Sequence, residues 1–260
     1  MSVVPSSLLP ASAAPHFRGR IGRDMRSGHY AVPRRYRLHI APSGPGCLAL
    51  AVTHGLLALD RTVPLTVLPP IPDTPDGGYT VLRPLYEASA HLYGGPAAAP
   101  VLSDHWTGRI VSTHVPDILG DLALRFRGDG PDLLPGGHRD EIGTIAALCA
   151  RDVDRAARRA GAARTGPRGS EDDPLTVLLA ALATLERRVA DRPYVLGDRP
   201  TLADAHVWST LVHLDTVHLG RLTPEGRARV TAHPALWAYA RRLTAEPAFG
   251  RHLPRTHGWR

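Results

Sequence analysis

The 260-residue chain contains no lysine, so all 31 of its basic residues are arginine. Against 24 acidic residues this gives a formal net charge of +7, which raises the question of nucleic-acid binding. Aromatic residues make up only 5%, and the arginines are spread along the chain rather than clustered beside aromatic side chains. This pattern argues against a nucleic-acid-binding protein and favours a solvated basic surface.

Cysteine and long apolar runs are also scarce. Cys47 and Cys149 are far apart in the sequence, which argues against a disulfide framework. No run approaches the ~18 uninterrupted apolar residues of a membrane span. Residues 1–20 lack the basic and apolar regions of a signal peptide, so a disordered tail is expected there. A cytoplasmic protein without a membrane partner is therefore predicted.

The hydrophobic periodicity changes once along the chain. Between residues 35 and 127 strand and helix patterns follow each other in the order β-α-β-α-β-β-α, and the remainder is helical. This predicts an α/β domain over 35–128 and an all-α domain over 129–250. Residues 1–34 are an N-terminal extension and 251–260 a C-terminal tail.

The sequence "TLAD" at 201–204 has the form of a capping box. In that motif the hydroxyl of Thr201 and the carboxylate of Asp204 satisfy each other's backbone amides at a helix start. We interpret it as a folding signal with no chemical role. A break in the helices is predicted at "RTGPRGSEDDP", over 164–174.

Several stretches carry a resemblance to a known family. "APVL", with Pro100 before the third strand, and "YVLGDRPTLADAHVWSTLVHLDTVHLG" are similar to the glutathione S-transferase superfamily. "RYRLHIAP", "APVLSDHWTGRIVS" and "HPALWAYARRL" resemble its xi class, the glutathionyl-hydroquinone reductases. The resemblance covers most of residues 17–250. It implies a thioredoxin-like N-terminal domain, an all-helical C-terminal domain, a cis bond before Pro100 and a homodimer.

The family's nucleophilic motif is altered in this chain. The resemblance places Cys-Pro-Trp-Ala on Gly44, Pro45, Gly46 and Cys47, so both the nucleophile and the tryptophan are glycine. Two interpretations of Cys47 stay open: a nucleophile activated by the helix N-terminus, or a small buried core residue. Ser43, just before the motif, is a candidate to stabilise a bound thiolate.

The cofactor positions depart from the family pattern as well. The Glu-Ser pair that holds the γ-glutamyl end of glutathione is matched by His114 and Val115. The helix start can still hold a carboxylate, and the backbone at Pro100 and Val101 can still pair with an extended thiol peptide. The resemblance implies glutathione. Mycothiol, which lacks a γ-glutamyl amine, is an alternative given the arginine-rich composition typical of a GC-rich genome, and the absence of any thiol is a third possibility.

Two tyrosines that bind the aromatic substrate in the family match Arg158 and His218, which are both still hydrogen-bond donors. His218 is a candidate acid or base, against the alternative of a structural histidine. The 14 histidines form no strong ligand motif, so no metal is expected. His206 and His213 share a helix face at a spacing of seven.

Two functions follow from these residues. The first is a glutathione S-transferase-like enzyme for a small aromatic or quinone-like metabolite, without the cysteine-based removal of glutathione. Its reaction would be thiol addition, or a thiol-free isomerisation, elimination or cyclisation. The second is a non-catalytic pseudoenzyme that binds a ligand or acts as a scaffold.

Overall fold

The computed structural model describes residues 17–128, 130–162, 173–253 and 259. Most of the predicted tail, the domain boundary at 129, nearly all of the predicted break at 164–174 and much of the C-terminal tail lie outside the described residues. No helix in the described ranges is both long and apolar enough to cross a membrane.

The α/β half contains a four-stranded mixed sheet with the strand order β2-β1-β3-β4. The central strand β1 pairs in parallel with β2 and antiparallel with β3, while β3 and β4 form a hairpin. The sequence predicts a strand in "RRYRLHIAP" from its alternation, a second in "RTVPLTVLPP", and a hairpin of "APVLSD" with "GRIVS", and the structure confirms all four strands. Their bounds are β1 Tyr36–Ile40, β2 Leu65–Val67, β3 Val101–Asp104 and β4 Arg109–Ser112.

Three helices belong to this half: α1 Pro45–Leu56, α2 Arg83–Ser89 and α3 Val115–Arg125. Helix α1 is apolar on every side, and every residue from Cys47 to His54 is buried. A helix of that kind has to be covered all round. It lies against α3 on one side and against α7 of the helical half on another, so the two halves share one core.

The helical half begins with α4 and ends with the short α10. Its helices are α4 Arg139–Leu148, α5 Ala156–Ala162, α6 Pro174–Val189, α7 Leu202–His213, α8 Pro224–Thr231, α9 Pro234–Thr244 and α10 Pro247–Gly250. Short 3-10 helices also occur, at Met25–Ser27, Leu59–Arg61, Thr80–Leu82, Gly136–His138 and Leu219–Arg221.

Two segments are wound as π-helix, in which hydrogen bonds run from residue i to i+5. The first π turn, Cys149–Arg155, joins α4 to α5. The second π turn, Leu214–His218, continues α7. The sequence predicts one long helix over 139–161, and the structure confirms a helical path there but with this wider turn inside it.

Residues 17–20 are ordered against the sheet, so the expectation of a disordered tail is wrong for them. Arg18 forms a β-bridge with Ser112 at the edge of the sheet. The Arg20 guanidinium lies 2.7 Å from the Asp121 carboxylate, and the following Ile21 is buried. This segment therefore packs against the outer face of α3. Its contacts join residues about 100 positions apart, so no local sequence pattern predicts them.

The predicted capping box is present at the start of α7. Asp204 is fully buried and its two carboxylate oxygens accept hydrogen bonds from the backbone amides of Val195 and Thr201, each at 2.8 Å. It also accepts from the hydroxyls of Thr201 and Tyr239, at 3.2 and 2.8 Å. One side chain thus joins the start of α7 to the preceding loop and to α9.

We expect Asp204→Asn to lower the free energy of unfolding by about 2 to 4 kcal/mol, because the new amide group cannot accept all of these hydrogen bonds. Urea unfolding followed by circular dichroism measures the loss. Asp198→Asn is the matched control, since Asp198 is exposed on the preceding loop, and it should change stability by less than about 0.5 kcal/mol. An equal loss of unfolding free energy in Asp204→Asn and Asp198→Asn would contradict the stabilising role of the Asp204 hydrogen bonds.

Candidate active site

The N-terminus of α1 lies where the resemblance places the nucleophile. Gly44 is its N-cap, with an extended backbone at φ −134° and ψ 156° that any residue can adopt. A Cβ atom added at Gly44 would meet no described atom within 4 Å. The glycine is therefore required neither by the backbone nor by packing, and open space stands where the family has its sulfur.

The second glycine of this turn has a different surrounding. A Cβ atom on Gly46 would lie 2.9 Å from Cγ2 of Val115, in the first turn of α3. A tryptophan at this position would collide with Val115. The small residue at position 46 is therefore required by the packing of Val115 against α1.

Cys47 lies in the first turn of α1 but points into the core. Only 7% of its surface is exposed, and burial raises the pKa of its thiol to about 11, although a backbone hydrogen bond at Ala41 opposes this shift. The structure therefore argues against Cys47 as a nucleophile and favours the core interpretation. Ser43 is exposed in the preceding turn, where its hydroxyl is accessible.

The N-terminus of α3 is crowded with charge. His114 is its N-cap residue, and Nδ1 of His114 lies 3.0 Å from the Asp117 carboxylate. Arg18 approaches the same carboxylate at 2.9 Å, and its hydrogen bond is the main cause that lowers the pKa of Asp117. Pro116 has no amide hydrogen to offer. Arg20 also lies 3.4 Å from the Asp117 carboxylate, so three basic side chains surround the acid in this turn.

The β3 side of this site keeps the family's geometry. The Ala99–Pro100 peptide bond is cis, as the resemblance implies. Val101 follows as the first residue of β3, opposite His39 of β1. Pro100 is half-buried and Val101 is buried, so Val101 can offer a ligand its backbone rather than its side chain.

A second polar group lies in the helical half. One carboxylate oxygen of Asp154, Oδ1, is 2.7 Å from Nδ1 of His213 and 3.1 Å from Nε2 of His218. The other oxygen, Oδ2, is 3.1 Å from the Arg158 guanidinium. An ionised carboxylate only accepts hydrogen bonds, so both imidazoles donate to it. We call Asp154, His213 and His218 the histidine–aspartate cluster.

The two π turns create this cluster. In an α-helix, His213 and His218 would be about 140° apart around the axis, because each residue turns by about 100°. The second π turn widens the helix so that positions five apart share a face, and the two rings lie 4.7 Å apart. Asp154 comes from the first π turn, which packs against α7.

Electrostatics keep the cluster charged at its centre. Burial by itself raises the pKa of the Asp154 carboxyl, but the hydrogen bonds from His213 and His218 outweigh burial and hold that pKa below its ordinary value. His218 is 3% exposed, whereas the Arg158 side chain is 63% exposed. The arrangement offers an anionic oxygen, two imidazoles and an outer cation.

Comparison with known proteins agrees with this geometry. Residues 175–242 match the model of the glutathione S-transferase C-terminal domain. Over 225 residues, 85% of this chain and 71% of the relative, the sequence is 28% identical to glutathionyl-hydroquinone reductase PcpF of Sphingobium chlorophenolicum. A glutathione transferase structure from Gordonia bronchialis superposes with a TM-score of 0.76 at 28% identity, covering 91% of this chain and 78% of that one.

These findings support the assignment of the chain to the glutathione S-transferase superfamily. Within it, the match to PcpF favours the xi class. A structure named as a xi class transferase, from Natrialba magadii, has the same fold, with a TM-score of 0.74 at 24% identity over 92% of this chain and 77% of that one. The predicted fold of a thioredoxin-like domain followed by a helical domain is confirmed.

The sequence predicts some residues of this candidate site and misses others. His218 and Arg158 were singled out, and the structure joins them through Asp154. Asp154 was missed, although its position four residues before Arg158 on a helical pattern was a weak signal. His213 had been paired with His206 by α-helical spacing, and the second π turn pairs it with His218 instead.

The burial of both cysteines predicts slow alkylation. The pKa values of Cys47 and Cys149 lie near 11 and 12, so few thiolates exist at about pH 7. We expect iodoacetamide to label the native protein at least ~100-fold more slowly than the urea-unfolded protein. Peptide mass spectrometry identifies the labelled residue, and Cys47→Ser is the control. Rapid labelling of Cys47 in the native protein would contradict its assignment to the core.

Proposed function

We propose that this protein is a glutathione S-transferase-like enzyme that acts on a quinone-like or related aromatic molecule without a cysteine nucleophile. The observation that carries the proposal is the α1 turn, where Gly44 leaves open space and Cys47 is buried with a raised pKa. The substrate class is supported by the similarity to PcpF, named a glutathionyl-hydroquinone reductase.

The family's reductive step needs a thiolate that attacks the sulfur of a glutathionyl conjugate. Without that thiolate, the chemistry open to this site is addition of a thiol to the substrate, or a thiol-free isomerisation, elimination or cyclisation. Arg158 and His218 are proposed to hold the substrate's oxygen, because they occupy the positions of the family's substrate-binding tyrosines. Ser43 is the exposed hydroxyl nearest in sequence to the lost sulfur and is proposed to stabilise a bound thiolate.

A low-molecular-weight thiol, glutathione or mycothiol, remains part of the proposal. The backbone at Pro100 and Val101 keeps the geometry for an extended thiol. At α3, however, the Asp117 carboxylate is taken by Arg18 and His114, which leaves it poorly suited to the γ-glutamyl amine of glutathione. This favours a thiol without that amine. A cytoplasmic homodimer is the proposed working form.

A second candidate is a non-catalytic protein that binds a ligand or acts as a scaffold. The same missing sulfur favours it, since a binding protein has no need of a nucleophile. The two candidates differ in turnover: the enzyme converts a quinone in the presence of a thiol, whereas the binding protein only retains it.

Gly44→Cys tests the substrate class directly. The new side chain enters open space at the N-terminus of α1, where a helix dipole lowers a thiol pKa. We expect the wild-type protein to show no release of hydroquinone from glutathionyl- or mycothiyl-hydroquinone, and the variant to gain it. Liquid chromatography with excess free thiol measures the product.

Gly44→Ser is the matched control, because it fills the same space without sulfur, and it should stay inactive. Reduction by the wild-type protein at the rate of Gly44→Cys would contradict the loss of the nucleophile. A folded Gly44→Cys protein that remains inactive with both conjugates would contradict a quinone-like substrate.

A further inference from the structure

The histidine–aspartate cluster brings together three side chains of the types that bind transition metals. One nitrogen from each of His213 and His218 and one oxygen of Asp154 all lie within 4.8 Å of one another. We propose that this cluster is a binding site for a divalent transition-metal ion, with Zn²⁺ as the ion it fits best. Two of the residues involved, His218 and Arg158, also take part in the proposed function, and the test of metal binding is distinguishable from it because it uses no catalytic activity.

The distances within the cluster are close to those of a metal site. Tetrahedral zinc with bonds of 2.0–2.1 Å sets its ligand atoms about 3.3 Å apart. Here Oδ1 of Asp154 is 2.7 Å from the His213 nitrogen and 3.1 Å from the His218 nitrogen. The two histidine nitrogens are no more than 4.8 Å apart, so side-chain movements about Oδ1 can bring the three atoms to the spacing of zinc ligands.

The backbone holds these side chains in place before any ion arrives. Each π turn contributes to the site: the first carries Asp154, and the second brings His218 to the same face as His213. His218 is 3% exposed, and its other nitrogen, Nδ1, is buried without a hydrogen-bond partner among the described residues. The ring is therefore anchored through Nε2, the nitrogen that faces the cluster.

The charge at the centre suits a cation. The carboxylate oxygen Oδ1 of Asp154 lies between the two histidine nitrogens, at 2.7 and 3.1 Å from them. Arg158 uses the other carboxylate oxygen, at 3.1 Å, so it can orient the carboxylate while Oδ1 binds the ion. Such outer contacts fix the direction of metal-ligating carboxylates in general. The guanidinium is largely exposed, which screens its repulsion of a cation.

The ligand set selects the class of ion. Two imidazoles and one carboxylate suit Zn²⁺ and its first-row neighbours, whereas Mg²⁺ and Ca²⁺ prefer sites made of oxygen. Three protein ligands also leave a fourth position open for water or a ligand.

The test is a Co²⁺ titration of the full-length protein, freed of any histidine tag and treated with chelator. Four-coordinate Co²⁺ has an intense visible absorption that hexaaquo Co²⁺ lacks. We expect this absorption to saturate at one equivalent and to be abolished by Zn²⁺ in competition. In parallel, Zn²⁺ should raise the melting temperature, and Mg²⁺ should leave it unchanged.

The variants Asp154→Asn, His213→Gln and His218→Gln should each weaken Co²⁺ binding by more than about 100-fold, since even outer contacts are worth 10–100-fold. His206→Gln is the matched control: it lies on α7 outside the cluster and should bind like wild type. Melting curves without metal show whether each variant is folded.

A wild-type protein that gives no such absorption and no zinc-induced shift would overturn the proposal, and the cluster would then be a hydrogen-bonded group only. Binding that survives in all three folded cluster variants would also overturn it, because the ion would then sit on other histidines. Loss of Co²⁺ binding in His206→Gln to the same extent as in the cluster variants would also overturn the proposal, because the effect would then not be specific to the cluster.

Discussion

The buried carboxylate of Asp204 is the contact on which the functional half of the molecule depends. It accepts hydrogen bonds from the loop at Val195, from Thr201 and from Tyr239 of α9. These hydrogen bonds determine where α7 begins and how it packs against the preceding loop and α9. Helix α7 packs against α1 and continues into the second π turn, so this one carboxylate sets the frame for both the α1 turn and the histidine–aspartate cluster.

Several residues around the N-termini of α1 and α3 differ from the pattern that the family resemblance implies. Gly44 leaves open space, and Val115 lies where a larger residue at Gly46 would extend. At α3, Asp117 is held between Arg18 and His114. The cis peptide bond at Pro100 is unchanged. The backbone of this region therefore agrees with the xi-class resemblance, whereas the side chains at Gly44, Gly46, His114 and Val115 differ from the pattern that the resemblance implies.

Local sequence signals located most of the fold and part of the site. The sequence predicts the capping box at Thr201 and the strand around Leu38, because each depends only on residues close together in the sequence. The sequence does not predict the histidine–aspartate cluster. In a regular α-helix His213 and His218 would lie on different faces, and no local sequence pattern indicates a π turn. The clamp of Arg18 on Asp117 joins positions 99 residues apart, which only the folded chain brings together.

We propose that the thiol site of this protein has lost its selectivity for glutathione. The most direct measurement is a thermal-shift titration of the wild-type protein with glutathione and mycothiol at matched concentrations. A ligand at free concentration c that binds only the folded state stabilises it by RT ln(1 + c/Kd), so the melting temperature rises with ligand concentration. We expect glutathione to raise the melting temperature by no more than mycothiol does at the same concentration. A saturable shift with glutathione and none with mycothiol would contradict it.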